Sequence, residues 1–191
     1  SDVYKRQGTM GQVPNEFVSL IETIDDAINI KVKNTEKLAY ATQTTLSLDD
    51  TKEILTVLKK RFPSIKGPNS EDICYATTNR QQAVKSMAKL CDTILVIWSQ
   101  NSSNSLRLVE FALFHVVKTA QLIPDEYTLD KFLESFNPSL TPNLGLTAGA
   151  SAPETLVQVL ISKLKKDFEV NLVDHTVTKE NVTFNLPKIL R

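Results

Sequence analysis

Two cysteines in 191 residues, Cys74 and Cys91, are too few for a disulfide framework. They point to a reducing compartment, where a lone thiol is catalytic, metal-binding or simply buried. Net charge is also lacking, because 22 basic residues balance 22 acidic ones. Such a chain projects no strong field towards a phosphate backbone, which argues against nucleic acid as a partner. No run of about 18 apolar residues occurs, so no segment reads as a transmembrane helix. The first seven residues, SDVYKRQ, are polar and lack the apolar centre of a secretory signal; they read as a segment foreign to the native chain. What the sequence does have is 41% hydrophobic residues, enough to bury the core of one large domain or two small ones.

Short apolar runs alternate with amphipathic ones. Strands are expected at 17–22, 37–42, 93–98, 120–123 and 143–147, and helices at 25–30, 49–62, 79–90, 106–117, 128–136 and 153–168. The TILVIW run from Thr93 to Trp98 has no polar alternation, as a buried parallel strand should. Residues 64–70, with Gly67 and Pro68 adjacent, read as a linker, and 170–190 as a hairpin or edge strands. The pattern predicts an α/β fold of repeated small domains with parallel-type sheets.

Four loops dense in hydroxyl and amide side chains precede helices: TQTTLSLDDT (42–51), CYATTNRQ (74–81), SQNSSNS (99–105) and TAGASAPE (147–154). Ser47 with Asp50, and Thr78 with Gln81, have the spacing of capping boxes. Ser151 is placed to cap a helix whose first turn holds Pro153. The first N–H groups of a helix have no internal partner and carry partial positive charge, so a phosphate is favoured there. Ser, Thr and Asn also cap ordinary helices, and that reading suffices for any single loop. The crowd of polar side chains from Asn101 to Ser105 exceeds what one cap requires and points to an anion site. None of the loops carries the Gly-Lys-Ser/Thr ending of a P-loop.

Cys74 lies just before a predicted helix N-terminus, a setting in which a thiolate can act as nucleophile or metal ligand; burial as a small hydrophobe is the alternative. Cys91 falls on an apolar helix face, and the separation of the two cysteines matches no shared metal motif. His115 and His175 have no ligand at metal spacing. Asp49 and Asp50 suit the first turn of a helix, and Lys163, Lys165 and Lys166 read as a solvated helix end.

The strings GTMGQ (8–12), TQTTLSLDDT, RFP (61–63), DICYATTNRQ (72–81), NSSNS (101–105) and TAGASAPE occur in this order in 4-hydroxy-3-methylbut-2-enyl diphosphate reductases, and the chain resembles that family from Gly8 onward. The resemblance implies three similar α/β domains around a central cavity. It assigns 8–66 to part of the second domain, 67–168 to the third and 169–191 to a C-terminal segment. It also implies a [4Fe-4S] cluster held by three cysteines and an electron donor such as ferredoxin or flavodoxin. The implied reaction is reductive removal of a hydroxyl to give isopentenyl and dimethylallyl diphosphate in the non-mevalonate pathway, in a bacterial cytoplasm or a plastid. Residue by residue, Cys74 resembles a cluster ligand, and Thr44 the threonine that binds the substrate hydroxyl and relays a proton. Ser102, Ser103, Asn104 and Ser151 resemble diphosphate-binding residues. The family's other two cysteines, its histidines and its glutamate have no counterpart here, so the chain is expected to be inactive by itself. Trp98 stands where the family usually has glycine and is expected to crowd the serine loop. The alternative is a phosphate-binding α/β module without redox chemistry.

Overall fold

The computed structural model describes residues 2–68, 73–115 and 117–181. Seven α-helices lie among these residues: α1 (Asp2–Met10), α2 (Ile24–Asn29), α3 (Leu48–Arg61), α4 (Tyr75–Met87), α5 (Ser103–Phe114), α6 (Glu126–Ser135) and α7 (Glu154–Asp167). The strands β1 (Thr93–Ile97), β2 (Thr119–Ile123) and β3 (Leu144–Ala148) form a parallel sheet in the order β2-β1-β3.

The sheet explains why TILVI has no polar alternation. β1 is central and pairs on both edges, Ile94 standing opposite Ala120 on one side and Gly145 on the other. Its two faces are both covered, and all five of its residues are buried. Ile94 and Val96 pack with Val84, Leu108 and Phe111 from α4 and α5. Leu95 and Ile97 pack with Leu129, Leu160 and Leu164 from α6 and α7. Each of these large side chains contributes roughly 1.5–3 kcal/mol by leaving water. A separate core of Ala27, Leu58 and Phe62 joins α2 to α3.

The α/β class and the parallel sheet stand as expected, and β1, β2, β3, α2, α3 and α7 lie close to their predicted places. Several local expectations are corrected. Residues 18–22 form no strand and pair with none among the described residues, and Asn15–Phe17 is a short 3-10 turn. Residues 37–42 make a single parallel bridge, Ala39 to Lys66, instead of a strand. An alternating sequence becomes a strand only where a neighbour supplies the ladder. The same bridge means that residue 66, inside the expected linker, is tied to the earlier segment; 69–72 lie outside the described residues. No strand forms over 170–181, and 182–191 also lie outside them. Lys163 does not end a solvated helix: its ammonium pairs with Asp130 at 2.7 Å and Glu126 at 3.1 Å, linking α7 to α6.

α2 is held by a reciprocal capping box between Thr23 and Asp26. The Asp26 carboxylate accepts from the Glu22 and Thr23 amides at 3.0 and 2.9 Å. The Glu22 amide first, then the Thr23 hydroxyl and amide, hold its carboxyl below the ordinary value of 3.8. The stabilisation is therefore complete above the unfolded-state value and is lost as pH falls through the lower folded-state value. Asp26→Asn is expected to flatten the acid limb of a urea-midpoint profile between about pH 5 and pH 2, the range in which a depressed carboxyl titrates. An unchanged acid limb would remove Asp26 as its source.

Candidate functional site

Neighbours in the order β2-β1-β3 are reached in opposite directions from β1, so the loops leaving β1 and β3 diverge at their carboxyl ends and leave a crevice between them. A cavity of about 450 Å³ occupies this place. Thr44, Cys74, Ser102, Ser103, Asn104 and Ser151 all line it. Four segments far apart in sequence thus converge on one space.

The serine loop enters from β1. Ser102 caps α5: its hydroxyl oxygen accepts from the Ser105 amide at 3.4 Å and the Ser105 hydroxyl at 3.0 Å. Ser103 and Asn104 form the first turn, where free N–H groups and the dipole favour an anion. Asn104 is only 6% exposed, yet neither its amide nitrogen nor its amide oxygen has a hydrogen-bond partner among the described residues. A buried unsatisfied amide costs about 1–3 kcal/mol. Asn104 is among the residues lining the cavity, so a small turn of its side chain would bring this unsatisfied amide to a ligand or ordered water.

Cys74 is the N-cap of α4, and its side chain makes no cap bond. The thiol is free and exposed. The Cys74 amide donates to the Thr44 carbonyl at 3.1 Å, which fastens the thiol-bearing turn to the Thr44 loop. α4 therefore begins at Tyr75, and the expected Thr78–Gln81 capping box does not form. Thr78 lies inside the helix, and its buried hydroxyl has no partner among the described residues.

Gln81 has a different role, which the sequence reading missed. Its side chain is buried; its Nε2 donates to the Leu46 carbonyl at 2.9 Å, and its Oε1 accepts from the Leu48 amide at 3.2 Å. The available signal was position: Cys74, Thr77 and Gln81 recur at helical spacing on one face. Arg80 makes a parallel tie, its Nε donating to the Ala148 carbonyl at the end of β3 at 3.1 Å.

Ser151 is exposed on the cavity rim but does not cap α7. The N-cap is Pro153, without a side-chain bond. The backbone turns there through Ala152, whose amide donates to the Gly149 carbonyl at 3.0 Å. That leaves the Ser151 hydroxyl outside the helix.

The remaining candidates lie apart from the cavity lining. Cys91 follows α4, and burial first, then the nearby Asp92 charge, push its thiol up, so it stays protonated. His115 is held neutral chiefly by burial, with its ring against Phe111 and Phe114. No group of three or more His, Cys, Asp or Glu side chains suited to a metal occurs among the described residues. The cavity thus offers one thiol, several hydroxyls, the side chains of Asn101 and Asn104 and a helix N-terminus, groups of the kind that can hold an anion, with one soft donor beside them. No described helix is long and apolar enough to cross a membrane.

The family model described as LytB protein matches residues 5–165. The 4-hydroxy-3-methylbut-2-enyl diphosphate reductase of Hyphomonas neptunium is 50% identical over 183 residues, covering 96% of this chain and 57% of that protein. The reductase of the same name from Roseobacter denitrificans is 46% identical over 185 residues, with the same coverage. The structure of the E-1-hydroxy-2-methyl-but-2-enyl-4-diphosphate reductase from Plasmodium falciparum superposes with a TM-score of 0.83 at 33% identity, covering 96% of this chain and 56% of the other. The chain therefore spans a little over half the length of the relatives it matches.

Proposed function

The chain belongs to the LytB family, and from that premise we propose that it is the part of a 4-hydroxy-3-methylbut-2-enyl diphosphate reductase that binds the substrate diphosphate and supplies one ligand to an iron–sulfur cluster. The observation that carries this reading is the convergence of Cys74 with Thr44, Ser102, Ser103, Asn104 and Ser151 on one cavity. The reaction is loss of the substrate hydroxyl as water, with uptake of two electrons and two protons, to give isopentenyl and dimethylallyl diphosphate.

The donor set suits part of a [4Fe-4S] centre. An exposed thiol at a helix N-terminus is the kind of group that binds as thiolate. Cys74 would be that ligand; Cys91 is not among the residues lining the cavity, so this chain brings one thiolate where such a cluster takes three or four. When bound, the cluster supplies the electrons, received from a carrier such as ferredoxin or flavodoxin. The chain's own residues do the rest. Ser102, Ser103, Asn104 and Ser151 hydrogen-bond the diphosphate oxygens, and the α5 N-terminus offsets their charge without a cation. Thr44, joined through its carbonyl to the Cys74 turn, holds the substrate hydroxyl and passes a proton to it.

The test compares the 191-residue chain with a polypeptide reaching the full length of its relatives, each reconstituted anaerobically with iron and sulfide. The longer polypeptide is expected to take up a cluster and turn over with a strong one-electron donor. Its Cys74→Ser variant should lose at least about 100-fold in activity, since even changes outside the ligand shell cost 10–100-fold. The 191-residue chain should hold no stoichiometric cluster and show no turnover. Turnover by the short chain, or full activity in Cys74→Ser, would overturn the assignment. Diphosphate binding with no turnover in the longer polypeptide would favour a phosphate-binding module.

A further inference from the structure

Trp98 is the one large apolar side chain among the residues lining the cavity, where its neighbours are threonines, serines, asparagines, Cys74 and Ala150. It is also the chain's single tryptophan. Its backbone has φ 139°, the only positive φ at a non-glycine position among the described residues. Glycine adopts such a conformation freely; a residue with a Cβ does so at a cost. The sheet enforces it. The Trp98 amide donates to the Ile123 carbonyl of β2 at 3.2 Å, and the preceding Ile97 carbonyl accepts from Gly149 after β3 at 2.9 Å. The indole has space because Gly149 lacks a side chain; a Cβ there would come within 3.1 Å of Trp98 Cδ1.

Strain persisting at a cavity wall calls for a use of the side chain that causes it. We infer that Trp98 is the specificity-determining residue of this site: its indole is the apolar wall against which the hydrocarbon part of an organic diphosphate lies. This inference rests on the diphosphate reading above and adds what the polar loops cannot supply. Serines, Asn104 and a helix N-terminus bind any small polyanion alike. A flat apolar surface beside them favours an anion carrying a short hydrocarbon chain over inorganic pyrophosphate. Rigid positioning of the ring by the strand end keeps the ordering cost of binding low.

The probes are inorganic pyrophosphate and dimethylallyl diphosphate, titrated calorimetrically into the 191-residue chain and its Trp98→Gly and Trp98→Phe variants. Tryptophan emission of the unsubstituted chain serves as an independent readout at the ring. Trp98→Gly is suited to the φ at this position, and Trp98→Phe keeps an aromatic wall. The expected result is a preference of roughly tenfold for dimethylallyl diphosphate, the effect of burying about two methylene groups. The preference should be retained in Trp98→Phe and largely lost in Trp98→Gly, with pyrophosphate affinity little changed. Emission should respond to dimethylallyl diphosphate more than to pyrophosphate. An equal preference in the parent chain and Trp98→Gly would overturn the role of Trp98 while leaving the diphosphate site standing. Binding of neither probe to the parent chain or to a polypeptide reaching the full length of its relatives would overturn the diphosphate site and this inference together.

Discussion

Asn104→Leu is expected to stabilise the ligand-free chain while weakening its binding of a diphosphate. The two amide atoms of Asn104 are buried and have no partner among the described residues, so the folded state carries the desolvation cost of the amide without a compensating hydrogen bond. Leucine has nearly the same shape and no polar atoms to satisfy. A gain of about 1–3 kcal/mol should follow, the usual cost of an unsatisfied buried amide. The same change removes a donor from the first turn of α5, and pyrophosphate affinity should fall by about tenfold or more, the worth of one hydrogen bond to a charged group. Urea denaturation without ligand, and calorimetric titration with pyrophosphate, read the two effects separately. A destabilised variant would mean that Asn104 is satisfied in solution by something other than ligand. A stabilised variant that binds as before would remove Asn104 from the anion site.

Gln81→Leu makes the same chemical change at another buried amide and should have the opposite effect on stability. Gln81 is fully paired: it donates to the Leu46 carbonyl and accepts from the Leu48 amide. Leucine would leave both backbone groups without their partner, and the loss should be about 2–4 kcal/mol, one desolvation cost for each. The clamp also fixes the segment between Thr44 and α3 relative to the helix that Cys74 caps, so the cavity should loosen. Hydrogen exchange at the Leu48 amide reports the clamp directly and should accelerate with the fall in stability. Gln81→Glu can keep the bond from Leu48 but sets a carboxylate oxygen against the Leu46 carbonyl. Its loss should be partly recovered in acid, where the protonated carboxyl can donate. A Gln81→Leu variant as stable as the parent would show that the 46–48 segment does not depend on α4.

These two residues show how far the sequence could be read. Both are buried amides on helices that pack against the sheet, and nothing local distinguishes them. Gln81 looked like half of a capping box with Thr78, because the spacing was right; the helix instead begins at Tyr75, with Cys74 as the cap. Asn104 looked like one more polar residue in a crowded loop. Whether an amide is paired depends on which backbone groups lie opposite it: residues 46–48 supply them for Gln81, and no described residue supplies them for Asn104. Ser151 failed as a cap for a related reason: Pro153 is the N-cap, and a hydroxyl two residues before it does not reach the first turn.

Local periodicity and composition account for much of the fold. The continuous apolar run of β1 required burial on both faces and hence a parallel sheet. The amphipathic spacing of α3 and α7 required helices with one apolar face. The four hydroxyl-rich loops marked the places where helices begin, and their quoted strings marked the family. Tertiary structure alone decided that the four loops meet, because convergence follows from strand order, which leaves a crevice where neighbouring crossovers diverge. It alone decided that residues 37–42 end as a single bridge, since a strand exists only where a neighbour completes its hydrogen bonds. And it alone set the backbone of Trp98 at positive φ, because β2 holds its amide and Gly149 the carbonyl before it, a constraint imposed from outside its own segment.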